Sequence, residues 1–213
     1  MQLVDKIEKR RFVGREFLLW LWFESSIFEG TLETKEQGSF GLWIEGSIIL
    51  TNGKEATRIK GPQPAASREP KESLLLGKLP EAAGFHLVKN EEEHIFTLKA
   101  EQLGISGLRL PTVLGEEEEQ PEQLRKGPRK KKQEQADEGH EAFYERMHLT
   151  RDFEGLIEAL YRDFLTLRLG TGWSVVTRAM RAWVAGEEVD ADAYREERER
   201  ALGGKKRREA AAG

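Results

Sequence analysis

The chain has 213 residues, enough for one domain or two small ones, and with 34% of them charged against 38% apolar its core must be concentrated in segments. A formal net charge of -4 gives no overall attraction to polyanions, so contact with nucleic acid would need a local basic patch. The absence of cysteine excludes disulfides, thiolate metal sites and cysteine nucleophiles, and it fits a reducing compartment, the cytoplasm being the expected one.

Met1 to Arg11 is charged and has no apolar stretch leading to a small-residue cleavage site, so no secretory signal is expected. The longest apolar run, Phe17 to Phe23, is far too short to cross a bilayer, and no membrane partner is expected. Leu3, Ile7, Phe17, Leu18 and Leu21 recur near helical spacing and predict one long helix from Leu3 to Ser26, with a break available at Gly14. Phe17 to Phe23 is apolar on every side. Such a segment is either wrapped by protein or leaves a face for a partner, which makes Trp20, Trp22 and Phe23 candidate partner-binding residues, with core the more usual fate.

Between Thr31 and Pro111 the period changes to strands: Ser39 to Glu45, Ser47 to Asn52, Glu55 to Lys60, Phe85 to Asn90, His94 to Ala100 and Ile105 to Leu110. Asn52-Gly53 tolerates positive φ and predicts a two-residue hairpin pairing Ile48 to Leu50 with Ala56 to Ile59. Residues 91 to 93 join two further antiparallel strands. Gly61 to Pro70 reads as a loop, and Lys71 to Lys78 as a short helix.

Residues 115 to 140 carry an acidic run, Glu116 to Glu119, then Arg125-Lys126 and Arg129-Lys130-Lys131-Lys132, with almost no apolar residue to offset ordering entropy. They predict a charged, disordered linker. Beyond it, Phe153, Leu156, Ile157, Leu160, Tyr161 and Phe164 mark a helix from about Glu141, ended by Gly170 to Gly172. A second helix, Trp173 to Ala185, places Val176, Met180 and Trp183 on one face, Trp183 being a further partner-binding candidate. A polar helix, Asp192 to Leu202, leads into the basic tail Lys205-Lys206-Arg207-Arg208. The expected organisation is a helix plus antiparallel sheet over 1–114, a linker over 115–140, a helical hairpin packing on the sheet over 141–190 and a polar helix with basic tail over 191–213. The fold class is α+β, an antiparallel sheet of short strands packed against an N-terminal helix and C-terminal helices.

Sites of chemistry are sparse. His86, His94, His140 and His148 form no metal-ligand spacing, and phosphate-binding glycine loops and nucleophile elbows are missing, so no cofactor, metal, catalytic residue or small-molecule substrate is expected. Basic residues remain as candidates for DNA: Arg11 and Arg15, the linker's Arg129, Lys130, Lys131 and Lys132, Arg178 and Arg181 on the helical hairpin, and Lys205, Lys206, Arg207 and Arg208 in the tail. Each is open to the alternative of solvation or ion pairing.

The segment Gly14-Arg15-Glu16-Phe17-Leu18-Leu19-Trp20-Leu21-Trp22-Phe23-Glu24-Ser25 resembles a helix in the C-terminal half of the long forms of the recombination-associated protein RdgC. Leu42-Trp43-Ile44-Glu45, Phe96-Thr97-Leu98-Lys99, Ser106 to Pro111, Tyr144-Glu145-Arg146 and Met180-Arg181-Ala182-Trp183 follow in a similar order. The resemblance spans Gly14 to Pro111 and Phe143 to Ala185. It implies a non-enzymatic, nucleoid-associated protein that binds duplex DNA with little sequence preference, assembles as a dimer and restrains recombination. The alternative is a protein-interaction or oligomerisation module with no nucleic-acid role.

Overall fold

A computed structural model describes residues 12–34, 36–111 and 132–210, with side chains over 13–34, 36–111 and 143–200. The predicted helical turns before Phe12 and linker residues 115–131 lie outside the described residues.

The first element is α1, Phe12–Ile27. Six strands follow, β1 Thr31–Thr34, β2 Gly38–Thr51, β3 Ala56–Gly61, β4 Leu79–Lys89, β5 Glu92–Lys99 and β6 Ile105–Arg109. A 3-10 turn at Pro64–Ala66 and the helix α2, Arg68–Leu75, lie between β3 and β4. The chain closes with α3 Lys132–Leu169, α4 Trp173–Ala185 and α5 Ala191–Ala210. The sheet is antiparallel throughout in the order β1-β2-β4-β5-β6, with β3 paired to β2 beyond the end of β1. The expected α+β class is therefore the one formed.

Several predicted boundaries are corrected. Ser39 to Glu45 and Ser47 to Asn52 belong to a single strand, because an irregularity between Ile44 and Ile48 bends β2 without ending its pairing with β4. The pairing of Ile48 with Ile59 is as expected, but its connection has four residues, with Asn52 Oδ1 accepting from the amides of Lys54 and Glu55. The two-residue turn is at Asn90-Glu91, both at positive φ, between the paired Lys89 and Glu92. Helix α2 begins at Arg68, three residues before the expected Lys71.

Strand β4 starts at Leu79 because Pro80, Ala82, Ala83 and Gly84, which resemble loop residues by composition, sit in the ladder, with a Cβ at Gly84 blocked by the Glu45 carbonyl of β2 and α1 packed across the strand. A similar close approach explains Gly14. A Cβ at that position would collide with the Ala100 carbonyl. Helix α3 extends back to Lys132, so residues 132–140 of the predicted linker are helical; good helix formers there outweigh low hydrophobicity. For the same reason α5 runs to Ala210 through the predicted tail.

One face of the sheet, with Leu42, Ile44, Ile48 and Leu50 of β2, Phe85 and Leu87 of β4 and Phe96 and Leu98 of β5, packs under the helices. The all-round apolar character of α1 follows from its position. Phe17 meets Tyr161 and Phe164 of α3 at 5.1 and 5.3 Å, Trp22 meets Trp183 of α4 at 5.0 Å, and Phe23 meets Tyr194 of α5 at 5.3 Å. The segments before and after the predicted linker thus share one core.

Candidate functional site

The aromatic candidates take part in that core. Trp20, Trp22, Phe23 and Trp183 are 3%, 1%, 0% and 6% exposed, so their surfaces are occupied by this chain and the docking reading of them is corrected. Of the basic candidates, Arg15 is paired with Glu81 across to β4, and Arg178 with Glu197 of α5. Arg168, near them on α3, is bound to Glu16, with Nε 2.7 Å from Oε2, and lies over the Trp173 ring. Arg181 is exposed on α4. Arg11, Arg129, Lys130 and Lys131 lie outside the described residues, whereas Lys132, Lys205, Lys206, Arg207 and Arg208 are described only as backbone positions on α3 and α5. The structure therefore does not bring the predicted cations together on one described face.

A different surface does gather cations. Strand alternation turns Arg58 and Lys60 of β3, Lys99 of β5 and Arg109 of β6 away from the helices, and all four are exposed. Register sets Arg58, Ile49, Ala82 and Lys99 in one row across β3, β2, β4 and β5. A second row holds Trp43, His86, Ile95 and Arg109 across β2, β4, β5 and β6. Each row spans about 14 Å at the usual interstrand spacing. Among the described residues none of these four cations is held in an ion pair, whereas Arg15, Arg162, Arg168, Arg178 and Arg198 of the helical layer are. Trp43 is 37% exposed and lies 5.3 Å from the His86 ring. The acidic groups of this face are Glu33, Glu45 and Glu93; Glu45 Oε2 is 2.9 Å from His86 Nδ1 and Glu93 Oε2 is 3.5 Å from Nε2.

The edge of β2 between its two partners is open. β1 reaches only to Gly41 and β3 begins pairing at Gly46, leaving residues 42 to 45 without a strand on that side. Leu42 satisfies its own groups there, its amide donating to the Gly30 carbonyl at 2.7 Å and its carbonyl accepting from Ser25 Oγ at 2.6 Å. Alternation turns the Ile44 amide and carbonyl to the same side. They face a cleft of about 570 Å³ lined by Trp22, Trp43, Trp183, Lys71, Gln63 and Glu29, among others. Lys71 Nζ sits 4.6 Å from the centre of the Trp183 ring, and burial pushes its pKa down. The Trp22 indole N-H is buried without an acceptor among the described residues.

Comparison with protein-family models, curated proteins and solved structures found no match. The likeness to RdgC accordingly rests on the residues quoted above. Sequence reasoning missed both surfaces for one reason. Alternation within each predicted strand marks Arg58, Lys60, Lys99 and Arg109 as outward, but only the register between strands sets them in common rows, and the cleft requires the unpredicted β1 to define its edge.

Proposed function

We propose that this chain is a non-enzymatic, non-sequence-specific DNA-binding protein of the recombination-associated, RdgC-like kind, with the open face of its sheet as the DNA-contacting surface. The observation that carries the reading is the set Arg58, Lys60, Lys99 and Arg109, exposed on one face of the sheet and, among the described residues, in no ion pair. Free cations neutralise phosphates at no cost in broken ion pairs, and Trp43 beside His86 adds a surface on which bases stack. Backbone contact of this kind does not discriminate sequence.

The number of contacts fixes the salt dependence. Four phosphate contacts give a slope of log affinity against log salt of about -3.6 on duplex DNA and about -2.8 on a single strand. Duplex affinity should then fall by about 150-fold between 50 and 200 mM salt. Fluorescence anisotropy with a labelled duplex measures it, and replacing all four residues by Gln should flatten the slope toward zero. Absence of binding at micromolar protein in low salt, or an unchanged slope in the quadruple variant, would overturn the reading.

A second reading, self-association without a nucleic-acid role, is favoured by Phe143, Tyr144 and Met147, which are exposed together on α3. Light scattering of the chain and of a Phe143→Ser, Met147→Ser variant tests it; a monomer in both cases removes it.

A further inference from the structure

We propose that the cleft at the open edge of β2 binds the base and phosphate of an unpaired nucleotide. Its volume of about 570 Å³ lies within the range of small-molecule sites. Trp22, Trp43 and Trp183 line it. Trp22 and Trp183 meet edge to face, at 5.0 Å and 89°, and are nearly buried against each other, so Trp43, 37% exposed, is the indole a ligand would reach. The Trp43 ring is laid over Gly41, where a Cβ would collide with it. Planar heteroaromatic rings are the ligands that such walls favour.

The polar groups select among planar ligands. The Ile44 amide and carbonyl form an adjacent donor and acceptor on a strand edge, complementary to the donor-acceptor edge of a nucleobase. The Trp22 N-H is a further donor without a partner among the described residues. Ser26 Oγ already donates to the Trp22 carbonyl and Ser25 Oγ to that of Leu42, so both hydroxyls face the cleft with lone pairs to accept from a ligand. Lys71 and Glu29 are the charged residues of the lining, and Lys71 is the one placed over an indole. Lys71 occupies the cation position over Trp183, so a cationic guest would compete with it, whereas a phosphate would be held by it.

The chemistry can reach the cleft from a free mononucleotide or from a base turned out of a single strand. Trp43 belongs both to the cleft and to the open sheet face, so a strand crossing that face passes its mouth. The strand source rests on the DNA-binding reading above, and the free-nucleotide source does not.

The test uses the full chain with three probes: adenosine monophosphate, a single-stranded 12-mer, and a 12-mer of the same length whose central nucleotides are abasic. Tryptophan quenching and anisotropy should show the intact strand bound about tenfold more tightly than the abasic one. Ala66→Trp, which fills the cleft from an exposed lining position, should remove that preference, and Lys71→Gln should weaken adenosine monophosphate and both single strands alike, while duplex binding stays unchanged in each. Equal affinity for intact and abasic strands together with no response to adenosine monophosphate overturns the cleft proposal, and steep salt-dependent duplex binding in the same experiment leaves the DNA reading standing. A response to adenosine monophosphate that Ala66→Trp abolishes, without binding of any strand, supports the cleft and removes the DNA reading. Persistence of the base preference in Ala66→Trp also overturns the proposal.

Discussion

Replacing Arg198 by Met should unfold the protein at markedly lower temperature, because it strips the cation from a carboxylate in the core. Glu24 is 2% exposed on α1 and accepts from Trp20 Nε1 at 2.9 Å, Tyr194 Oη at 2.6 Å and Arg198 Nη1 at 2.6 Å. Arg198 keeps only 20% of its side chain exposed, so the pair is largely removed from solvent screening. Breaking such a pair from one side costs about 3–5 kcal/mol. The two neutral donors that remain on Glu24 hold the cost to the lower end, about 3 kcal/mol. For a protein of this size that is a fall in Tm of about 6–12 °C. Met retains the aliphatic packing against Phe28 and Tyr194, so the loss reports the charge. Glu24→Gln added to Arg198→Met removes the uncompensated charge and keeps an acceptor for Trp20 and Tyr194, so the double variant should melt above the single one. Circular dichroism melts measure both. A single variant within about 1 °C of the parent, or a double variant no better than the single, would refute the assignment of Glu24 as a charge held by Arg198.

Burial, followed by the Glu24 charge, raises the Tyr194 pKa above its ordinary 10.0. The unfolded chain therefore loses this proton first, and stability should fall as pH rises above about 10, a loss that Tyr194→Phe reduces in urea titrations at pH 9 and 11. His94, buried and stacked on Phe153 at 5.5 Å, has its pKa lowered from 6.5 chiefly by desolvation, with Glu92 opposing. Its contribution is present above about pH 6.5 and is lost as pH falls below that value, so the acid slope of unfolding free energy should flatten in His94→Leu. Gly14→Ala should destabilise by about 1–3 kcal/mol through collision with the Ala100 carbonyl, read from the urea midpoint at unchanged m-value.

The elements whose identity was legible were those with strong periodicity. Phe153 to Phe164 and Val176 to Trp183 form the helices their spacing implies, and the pairing of Ile48 with Ile59 follows from alternation on either side of a turn. What failed was composition used as a guide to order. Lys132 to His140 is polar yet helical, and Pro80 to Gly84 is turn-like yet in the ladder, because helix propensity and the close approach of the Glu45 carbonyl to Gly84 do not register as hydrophobicity. The aromatic segment of α1 was read as core or docking face, and only the positions of three C-terminal helices around it decide for core. The cations were scored by clustering along the chain, whereas the surface that gathers them is assembled from β3, β5 and β6, which contribute one or two each.

Edge protection offers a rival account of those cations, since charged side chains on outer strands prevent a sheet from pairing with another copy. It fits Arg58 and Lys60 on β3 and Arg109 on β6, the strands at which pairing stops. It does not fit Lys99, which belongs to β5 with a neighbour on each side, nor His86, which lies on β4 between β2 and β5. Trp43 and His86 stand in the same row as Arg109, and the other row runs from Arg58 to Lys99. An aromatic pair in line with one cation and beside a row bounded by two is an arrangement suited to bases and phosphates of one strand. In the helical layer Arg15, Arg162, Arg168 and Arg178 are paired to carboxylates, whereas Arg151 and Arg181 are exposed and in no ion pair among the described residues. What sets the sheet face apart is that Arg58, Lys60, Lys99 and Arg109 stand together on it, and that placement, more than the net charge of -4, bears on where a polyanion would bind.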